Sequence, residues 1–353
     1  MADGVSTVSP SEPGSPASEG PAAKRARYSA EPAGGREMFV ALGLPMDVPL
    51  VSSYTFFSPL PAADSGATGG EGEGFVLGVD EAGRGPVLGP MVYATCFCRE
   101  SYYEQLSSVG FADSKQLTQE QRERLFARLQ GADIRAHAGW SIRCIAPQDI
   151  SQCMLRRTKY SLNALAHDAT IQLLSDVLER GIPLRRVFID TVGPPASYQA
   201  KLRGLFPQIE ITVAKKADSI YPIVSAASIC AKVTRDAHLD HWAYAEAPLQ
   251  GVLSRAYGSG YPSDPNTTRW LRESVDHVFG YPGIIRFSWS TCTKLLEERA
   301  ARVAWADDED SGGRKPANRA SNLFARAAKG PAEDRQQSTF FRRNRAVHLA
   351  SSL

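Results

Sequence analysis

The stretch Phe75-Val76-Leu77-Gly78-Val79-Asp80-Glu81-Ala82-Gly83-Arg84-Gly85 decides the fold of this chain. Its first five residues form an apolar run, which predicts a buried strand. Two acidic residues follow at once, and burying their charges costs free energy unless the charges meet cations. Because neighbouring side chains on a regular strand point to opposite faces, we expect the strand to end at Asp80. A turn at Gly83 and Gly85 would then let both carboxylates share one site.

Two further strands and one helix are predicted after this stretch. A turn rich in Gly and Pro leads to a second apolar run, from Met91 to Phe97. The sequence Thr118-Gln119-Glu120-Gln121 fits a capping box that opens a helix to about Leu129. Alternating apolar residues then predict a third strand from Ile134 to Ile142.

The second half of this region alternates helices and strands. A helix is predicted from Ser161 to Glu179, and short strands from Arg186 to Ile189 and from Glu210 to Val213. Further helices are predicted from about Tyr221 to Trp242 and from Asn266 to His277. A three-strand antiparallel meander followed by alternating α and β elements indicates an α/β fold. We expect a mixed sheet with helices on both faces and a helical C-terminal extension.

Composition divides the chain into three parts. Residues 1–73 are rich in Gly, Pro, Ala and Ser, so we predict a disordered leader, although the more apolar patch from Met38 to Thr55 could fold onto something. Residues 74–300 form the predicted folded domain. Residues 301–353 form a low-complexity tail that we expect to bind partners. In the leader, Lys24-Arg25-Ala26-Arg27 resembles a nuclear import signal and predicts a nuclear protein, the alternative being a solvated charge run.

The overall composition excludes several classes of protein. Lys and Arg number 40 against 38 Asp and Glu, so nucleic-acid contacts would come from local patches rather than from a global field. No apolar run approaches the ~18 residues of a membrane span, and no secretory signal is present, so we expect a soluble intracellular protein with no membrane partner. The six cysteines show no metal-binding spacing, and we interpret them as reduced.

Acidic residues follow three of the predicted strands. Asp80 and Glu81 end the first, Asp190 follows Val187-Phe188-Ile189, and Asp218 lies between a strand and a helix. Carboxylates gathered at one sheet edge favour Mg²⁺ or Mn²⁺ over zinc. Two such ions about 4 Å apart can activate a water and stabilise the leaving oxygen of a phosphodiester. The alternative for each acid alone is a helix or turn cap.

Further motifs follow in order up to Glu298. They are Asp113-Ser114-Lys115, Phe188-Ile189-Asp190-Thr191-Val192-Gly193, Lys216-Ala217-Asp218-Ser219, Ser225-Ala226-Ala227-Ser228-Ile229-Cys230-Ala231-Lys232, Tyr257-Gly258-Ser259-Gly260-Tyr261-Pro262-Ser263-Asp264-Pro265 and Arg286-Phe287-Ser288-Trp289. With these motifs the sequence resembles the ribonuclease HII family of type 2 ribonucleases H, and within it the catalytic subunits of the eukaryotic three-subunit enzymes.

The resemblance implies a ribonuclease H-like fold and hydrolysis of RNA in RNA–DNA hybrids, dependent on two Mg²⁺ or Mn²⁺ ions. It also implies incision on the 5′ side of single ribonucleotides in duplex DNA, leaving 3′-hydroxyl and 5′-phosphate ends, in ribonucleotide excision repair and DNA replication. The family's catalytic and metal-binding carboxylates fall on Asp80, Glu81, Asp190 and Asp218. Its substrate-binding residues fall on Gly83, Arg84, Gly85 and Tyr261.

Phosphate contacts are predicted from the chemistry of the reaction. Cutting that ignores base sequence needs contacts to phosphate and a sensor of the 2′-hydroxyl. Lys115, Lys216 and Lys232 are the candidates, and the alternative for Lys232 is a solvated lysine on a helix surface.

Partners are predicted chiefly by the resemblance. It implies two accessory subunits in a heterotrimer, with an RNA–DNA hybrid or ribonucleotide-containing duplex as substrate. The tail segment from Gln336 to Arg343 suggests a weak sliding-clamp contact, but it lacks the apolar residue that such motifs place before paired aromatics. Two alternatives to the enzyme stay open: a non-catalytic scaffold of the same fold, and an integrase-like nuclease or transposase that cuts DNA lacking ribonucleotides.

Overall fold

The computed structural model describes residues 35–61, 73–111, 117–158, 160–191 and 193–301. A six-stranded sheet with strand order β1-β4-β3-β2-β5-β6 forms its centre. Strands β1 to β4 pair antiparallel, and β2, β5 and β6 pair parallel. The strands are β1 Tyr54–Phe57, β2 Phe75–Ala82, β3 Met91–Arg99, β4 Ala138–Ile145, β5 Leu184–Asp190 and β6 Glu210–Ala214.

Ten α-helices lie in the described part of the chain. They are α1 Gly35–Ala41, α2 Tyr103–Ser108, α3 Gln119–Leu129, α4 Ala132–Arg135, α5 Pro147–Met154, α6 Leu162–Glu179, α7 Pro195–Leu205, α8 Pro222–Asp240, α9 Pro265–Ser274 and α10 Ser290–Arg299. Short 3₁₀ turns cover Glu100–Tyr102, Ala217–Ser219 and Ala247–Leu249. None of the helices within these described ranges is long and apolar enough to cross a membrane.

Helices cover both faces of the sheet. The side chains of Phe75, Leu77 and Val79 enter one core, which helices α6 and α7 complete. Val76 enters the other core, which contains most of the apolar side chains of α8. Because alternate residues of β2 enter different cores, this strand is buried on both faces. The mixed α/β sheet predicted from the sequence is confirmed.

Gly78 sets how closely helix α8 approaches strand β2. A Cβ atom at this position would lie 2.5 Å from the carbonyl carbon and oxygen of Ile223, in the first turn of α8. The contact involves backbone atoms, which cannot move aside as a side chain would. Only glycine therefore allows the helix to lie against the strand at this distance.

The predicted capping box of α3 is present. The Gln121 amide donates to the Thr118 hydroxyl at 3.3 Å, and the Thr118 amide donates to the Gln121 side chain at 2.7 Å. Helix α6 begins in a similar way, since the Ala164 amide donates to the Ser161 hydroxyl at 3.1 Å. These local bonds satisfy amides that have no partner inside the helix, which is why the sequence located both helix starts correctly.

Two predicted elements are wrong in their bounds. The strand predicted from Ile134 to Ile142 is divided between helix α4 and strand β4, because apolar residues four apart, Ile134 and Ala138, also fit a helical turn. The helix predicted to reach His277 ends at Ser274. Beyond it, the Asp276 carboxylate accepts from the amides of Val278 and Phe279 at 2.8 Å each, which forms a turn instead of a further helical turn.

Part of the predicted disordered leader is folded, so that prediction is wrong for residues 35–61. Strand β1 pairs with β4, with Tyr54 opposite Cys144. Phe39 of helix α1 is buried and stacks on Phe126 of helix α3 at 5.4 Å. The apolar patch noted in the sequence thus extends the sheet, because burying its side chains offsets the entropy of ordering this short segment.

Several predictions lie outside the described residues. They concern the remainder of the leader with its basic cluster Lys24-Arg25-Ala26-Arg27, the candidate Lys115, and the tail with its segment from Gln336 to Arg343.

Candidate active site

The predicted catalytic carboxylates meet at one end of the sheet. Strands β2 and β5 run parallel, with Val79 opposite Ile189 as the last register pair. Asp190 is the last residue of β5, and Asp218 lies in the 3₁₀ turn after β6. The Ala217 amide of that turn donates to the Asp190 carboxylate at 2.7 Å. The ends of three parallel strands therefore bring together acids that are far apart in the sequence.

The sequence predicted that strand β2 ends at Asp80, and this prediction is wrong. The strand continues to Ala82, because β3 pairs with it as far as Ala82 opposite Val92. Asp80 lies on the face covered by α8, and Glu81 on the face covered by α6 and α7. Since β5 ends beside them, both side chains reach the same open edge from opposite faces, and no turn is needed.

The four acids repel one another electrostatically. Burial raises the pKa of Asp80, and Asp190 raises it further, against hydrogen bonds from Ser228 and the Glu81 amide. Burial also raises the pKa of Glu81, followed by the charges of Asp80, Asp190 and Asp218. A cation placed among these groups would favour their ionised forms.

The donor chemistry fits a hard divalent cation, but the side chains are not closed around one point. Within residues 35–301 as far as they are described, no three His, Cys, Asp or Glu side chains form a ready metal cluster. Backbone amides hold two of the carboxylates: Asp80 accepts from the Glu81 amide at 2.7 Å, and Asp190 from Ala217. Four neighbouring carboxylates with an excess of negative charge supply the oxygen donors that Mg²⁺ or Mn²⁺ prefers.

The Gly83-Arg84-Gly85 loop follows β2 directly. Gly83 has a φ of +77°, and a Cβ atom there would lie 2.6 Å from the Pro90 carbonyl oxygen. Glycine is therefore required at this position. The Arg84 guanidinium donates to the Asn163 side chain of α6, which holds it beside the carboxylates.

Arg286 and Trp289 hold this loop from behind. The fully buried Arg286 donates to the carbonyl oxygens of Arg84 at 3.1 Å and Gly83 at 2.5 Å, and the Trp289 indole donates to that of Gly85 at 3.0 Å. Burial lowers the pKa of Arg286 to about 9, so its side chain stays charged at neutral pH. All three loop carbonyls are thus occupied. Both residues belong to the motif Arg286-Phe287-Ser288-Trp289, which by itself does not predict these contacts.

Tyr261 lies at the same loop. Its side chain is 44% exposed, and its ring comes within 3.0 Å of where a Cβ atom of Gly85 would be. The Val87 amide donates to the Gly260 carbonyl at 2.8 Å, which fixes the segment before the tyrosine. The predicted substrate tyrosine therefore lies against the loop predicted to sense ribose.

Two of the three candidate phosphate-binding lysines are described. Lys232 donates to the Ser228 hydroxyl at 2.9 Å, and its charge lowers the pKa of Asp80. It is half-buried beside the carboxylates, so it is not the solvated surface lysine of the alternative. Lys216 is exposed and adopts a left-handed conformation, φ +56°, just before the turn that carries Asp218.

Beyond Glu81 lies a small pocket that sequence reasoning missed. Tyr93, Tyr198 and His167 line it together with Glu81 and Asp190. The His167 ring stacks on that of Tyr198 with centroids 3.8 Å apart, and burial, aided by nearby cations, lowers the pKa of the histidine. No histidine is adjacent to these acids in the sequence, so only the packing of α6 reveals this neighbour.

Comparison with known proteins agrees with this arrangement. The family model for ribonuclease HII matches residues 77–292. The chain belongs to the ribonuclease HII family. The A subunit of ribonuclease H2 from Rattus norvegicus is 47% identical over 279 residues, which cover 79% of this chain and 90% of the relative. Its counterpart from Homo sapiens is 51% identical over 232 residues, covering 66% and 76%.

A solved structure shows the same fold. Ribonuclease H2 from Pyrococcus horikoshii OT3 superposes with a TM-score of 0.52 at 35% identity, covering 64% of this chain and 98% of that one. This member of the ribonuclease HII family is therefore a catalytic subunit of type 2 ribonuclease H. It hydrolyses RNA in RNA–DNA hybrids. The predicted family, fold class and enzyme class are confirmed, whereas the roles of single site residues stay predictions.

Proposed function

We propose that this ribonuclease H also incises duplex DNA on the 5′ side of single embedded ribonucleotides, in ribonucleotide excision repair and DNA replication. The observation that carries the proposal is the convergence of four carboxylates beside a loop whose carbonyls are bound from behind and an exposed tyrosine. Such a site offers acids to the scissile phosphate and a separate surface to the sugar.

Asp80, Glu81, Asp190 and Asp218 would hold two Mg²⁺ or Mn²⁺ ions. Once bound, these ions would activate the attacking water and stabilise the leaving oxygen. Backbone donors already hold Asp80 and Asp190, so less side-chain freedom is lost on closing the site.

Recognition of the ribonucleotide would fall to the chain's own groups. Because Arg286 and Trp289 occupy the carbonyls of the Gly83-Arg84-Gly85 loop, the substrate would meet its amides and the N–H groups of Arg84 that do not bond Asn163. The 2′-hydroxyl distinguishes RNA from DNA, and these donors suit it. The Tyr261 ring would lie against the neighbouring sugar. Lys216 and Lys232 would contact phosphates, as would Lys115.

The test is a cleavage map on a duplex that carries one ribonucleotide. With Mg²⁺ and its partner subunits, the wild-type chain is expected to cut once, 5′ of the ribonucleotide, leaving 3′-hydroxyl and 5′-phosphate ends. An all-DNA duplex of the same sequence is the control. Cuts in the control would favour the integrase-like nuclease, and binding without any cut would favour the non-catalytic scaffold.

We further propose that the chain works in the nucleus as one of three subunits. The curated relatives from rat and human are, by name, A subunits of ribonuclease H2, which supports an assembly of several subunits. We propose that the tail after residue 300 contacts the two accessory subunits. The segment from Gln336 to Arg343 would also make a weaker contact with the sliding clamp. Weak activity of the lone chain, restored by the accessory subunits, is the expected result, and full activity alone would contradict it.

A further inference from the structure

An open cleft runs along helix α9, beginning two residues after Tyr261. Ser263, Thr268, Glu273 and three arginines line it. We call it the arginine cleft after Arg269, Arg272 and Arg299, whose side chains are all exposed. None of these arginines is among the predicted site residues, and none belongs to the candidate active site.

The arginine cleft carries net positive charge, because three arginines and one glutamate line it. Arg269 donates to the Asn266 side chain at 2.6 Å, and Arg299 to the Arg272 carbonyl at 3.0 Å. Both acceptors are neutral. Over the described ranges, none of the three guanidinium groups forms an ion pair, although Glu273 lines the same cleft. Two of the groups are therefore oriented by hydrogen bonds while their charge stays available to an anion.

Helix α9, which lines the arginine cleft, is bonded to the segment that carries Tyr261. The Thr268 hydroxyl donates to the Pro262 carbonyl at 3.1 Å, which ties helix α9 to the residue after Tyr261. From Pro265 to Arg272 the helix rises about 10 Å, which matches about three nucleotides along one strand of a duplex. A strand that passes Tyr261 can therefore continue along the arginines.

We propose that the arginine cleft binds the phosphate backbone of the duplex that flanks the ribonucleotide. The inference rests on the proposed function and deepens it, since it adds a second contact region outside the reacting nucleotide. Guanidinium groups bind phosphate oxygens in a planar, bidentate geometry. Contacts to the backbone alone give affinity and register without any preference for base sequence, as this enzyme class requires.

The test compares the assembled complex carrying Arg269→Gln and Arg272→Gln with the wild type. Arg299 is left intact because its bond to the Arg272 carbonyl joins α10 to α9. The matched control is Arg128→Gln, an exposed arginine already paired with Asp133 at 2.7 Å. The double variant is expected to raise KM roughly tenfold at unchanged kcat and to make the slope of log affinity against log salt shallower by about 2.

A second arm locates the contact. Duplexes are shortened on one side of the ribonucleotide or on the other, and their binding is measured in EDTA so that the result does not depend on cleavage. The penalty of the double variant is expected to disappear when one particular flank is removed. A penalty that persists when both flanks are short, or that equals the effect of Arg128→Gln, would overturn the inference.

The outcomes separate this inference from the proposed function. If the wild-type complex cuts beside the ribonucleotide but the double variant matches it in KM and salt slope, the cleft proposal alone is wrong. If the wild type binds the duplex in EDTA with the predicted dependence on Arg269 and Arg272 but does not cut it, the cleft proposal stands and the proposed incision fails. Loss of the accessory subunits from the double variant would assign the cleft to an acidic protein partner and overturn the inference.

Discussion

The chain contains the tripeptide Gly-Tyr-Pro twice, and the two copies differ in what they do. Gly260 and Gly280 have almost the same left-handed backbone, with φ of +78° and +76°. Yet Tyr261 is 44% exposed at the Gly83-Arg84-Gly85 loop, whereas Tyr281 is 7% exposed and faces Phe287 in the core. The same three residues, with a left-handed glycine in both copies, thus leave one tyrosine exposed at a loop and bury the other in the core. Their surroundings decide which.

The largest effect is expected at the four predicted catalytic carboxylates. Unlike Tyr281, which stabilises the core, these groups repel one another and so lower the stability of the folded protein. Asp190→Asn keeps an acceptor oxygen for the Ala217 amide but removes one of the like charges that raise the pKa of Asp80 and Glu81. We expect kcat to fall by about 10³-fold or more, while the protein without divalent ions becomes more stable. Single-turnover cleavage and melting in EDTA measure the two effects. A lower melting temperature in EDTA would contradict the repulsion.

Tyr281 is expected to show the opposite behaviour. Tyr281→Ala would leave a cavity and lower the free energy of unfolding by about 3 kcal/mol. Tyr281→Phe is the matched control, because the buried hydroxyl has no hydrogen-bond partner among the described residues. Its loss should be neutral or stabilising by about 1 kcal/mol. Urea unfolding of both variants is the measurement, and equal stabilities would show that the ring does not pack as described.

Two histidines differ in the same way as the two tyrosines, since one lies at the candidate site and the other in the core. The buried one predicts that the free energy of unfolding depends on pH. His167 is half-buried in the pocket beside Glu81, whereas His238 is buried against Tyr54, whose hydroxyl lies 2.7 Å from its Nε2 atom. Burial lowers the pKa of His238 from 6.5 to about 4. Between these values the unfolded chain binds more protons than the native one, so the contribution of His238 is complete above pH 6.5 and is lost as the pH falls toward 4.

The expected loss is about 3 kcal/mol between the two ends of this window. Urea unfolding at several pH values measures it. His238→Gln keeps an acceptor for the Tyr54 hydroxyl but does not titrate, so its stability should change less over the same range. An identical pH profile for the variant and the wild type would exclude His238 as the source.

The smallest effect is expected at Tyr261. Tyr261→Ala should change the free energy of unfolding by less than about 0.5 kcal/mol, because the side chain is exposed. We expect kcat/KM on a single embedded ribonucleotide to fall roughly tenfold, which is at the lower end of the about 1 to 3 kcal/mol that an aromatic side chain contributes by stacking on a base. Parallel cleavage of a long hybrid shows whether the loss is specific. Unchanged cleavage of the single ribonucleotide would remove Tyr261 from recognition.

Local features of the sequence predicted most of the fold. The capping box at Thr118 and the apolar runs of β2 and β5 depend on neighbours within a few residues, so they could be identified directly. Gly258-Ser259-Gly260 precedes Tyr261 but not Tyr281, and of this pair the structure places Tyr261 at the Gly83-Arg84-Gly85 loop. Strand β1 was missed because its pairing with β4 spans about ninety residues and is decided by burial across that distance.

The candidate site was predicted in its members but not in its geometry. Sequence position indicated the four acids, yet the two that are adjacent reach the open edge from opposite faces of an unbroken strand. Nothing local indicates that Arg286 and Trp289 occupy the carbonyls of a loop some two hundred residues earlier. Such contacts depend on how the C-terminal segment packs, so they cannot be predicted from the hydrophobic periodicity of the sequence.

The absence of one carbon atom at position 78 sets the spacing on which the candidate site depends. Helix α8 carries Ser228 and Lys232, two of the three groups that lower the pKa of Asp80, which lies two residues further along the strand. An alanine at Gly78 would push the first turn of the helix outward and draw both groups away from the carboxylate. The buried Gly78, which contacts no substrate itself, thereby sets the distance between the Asp80 carboxylate and the positive charge of Lys232.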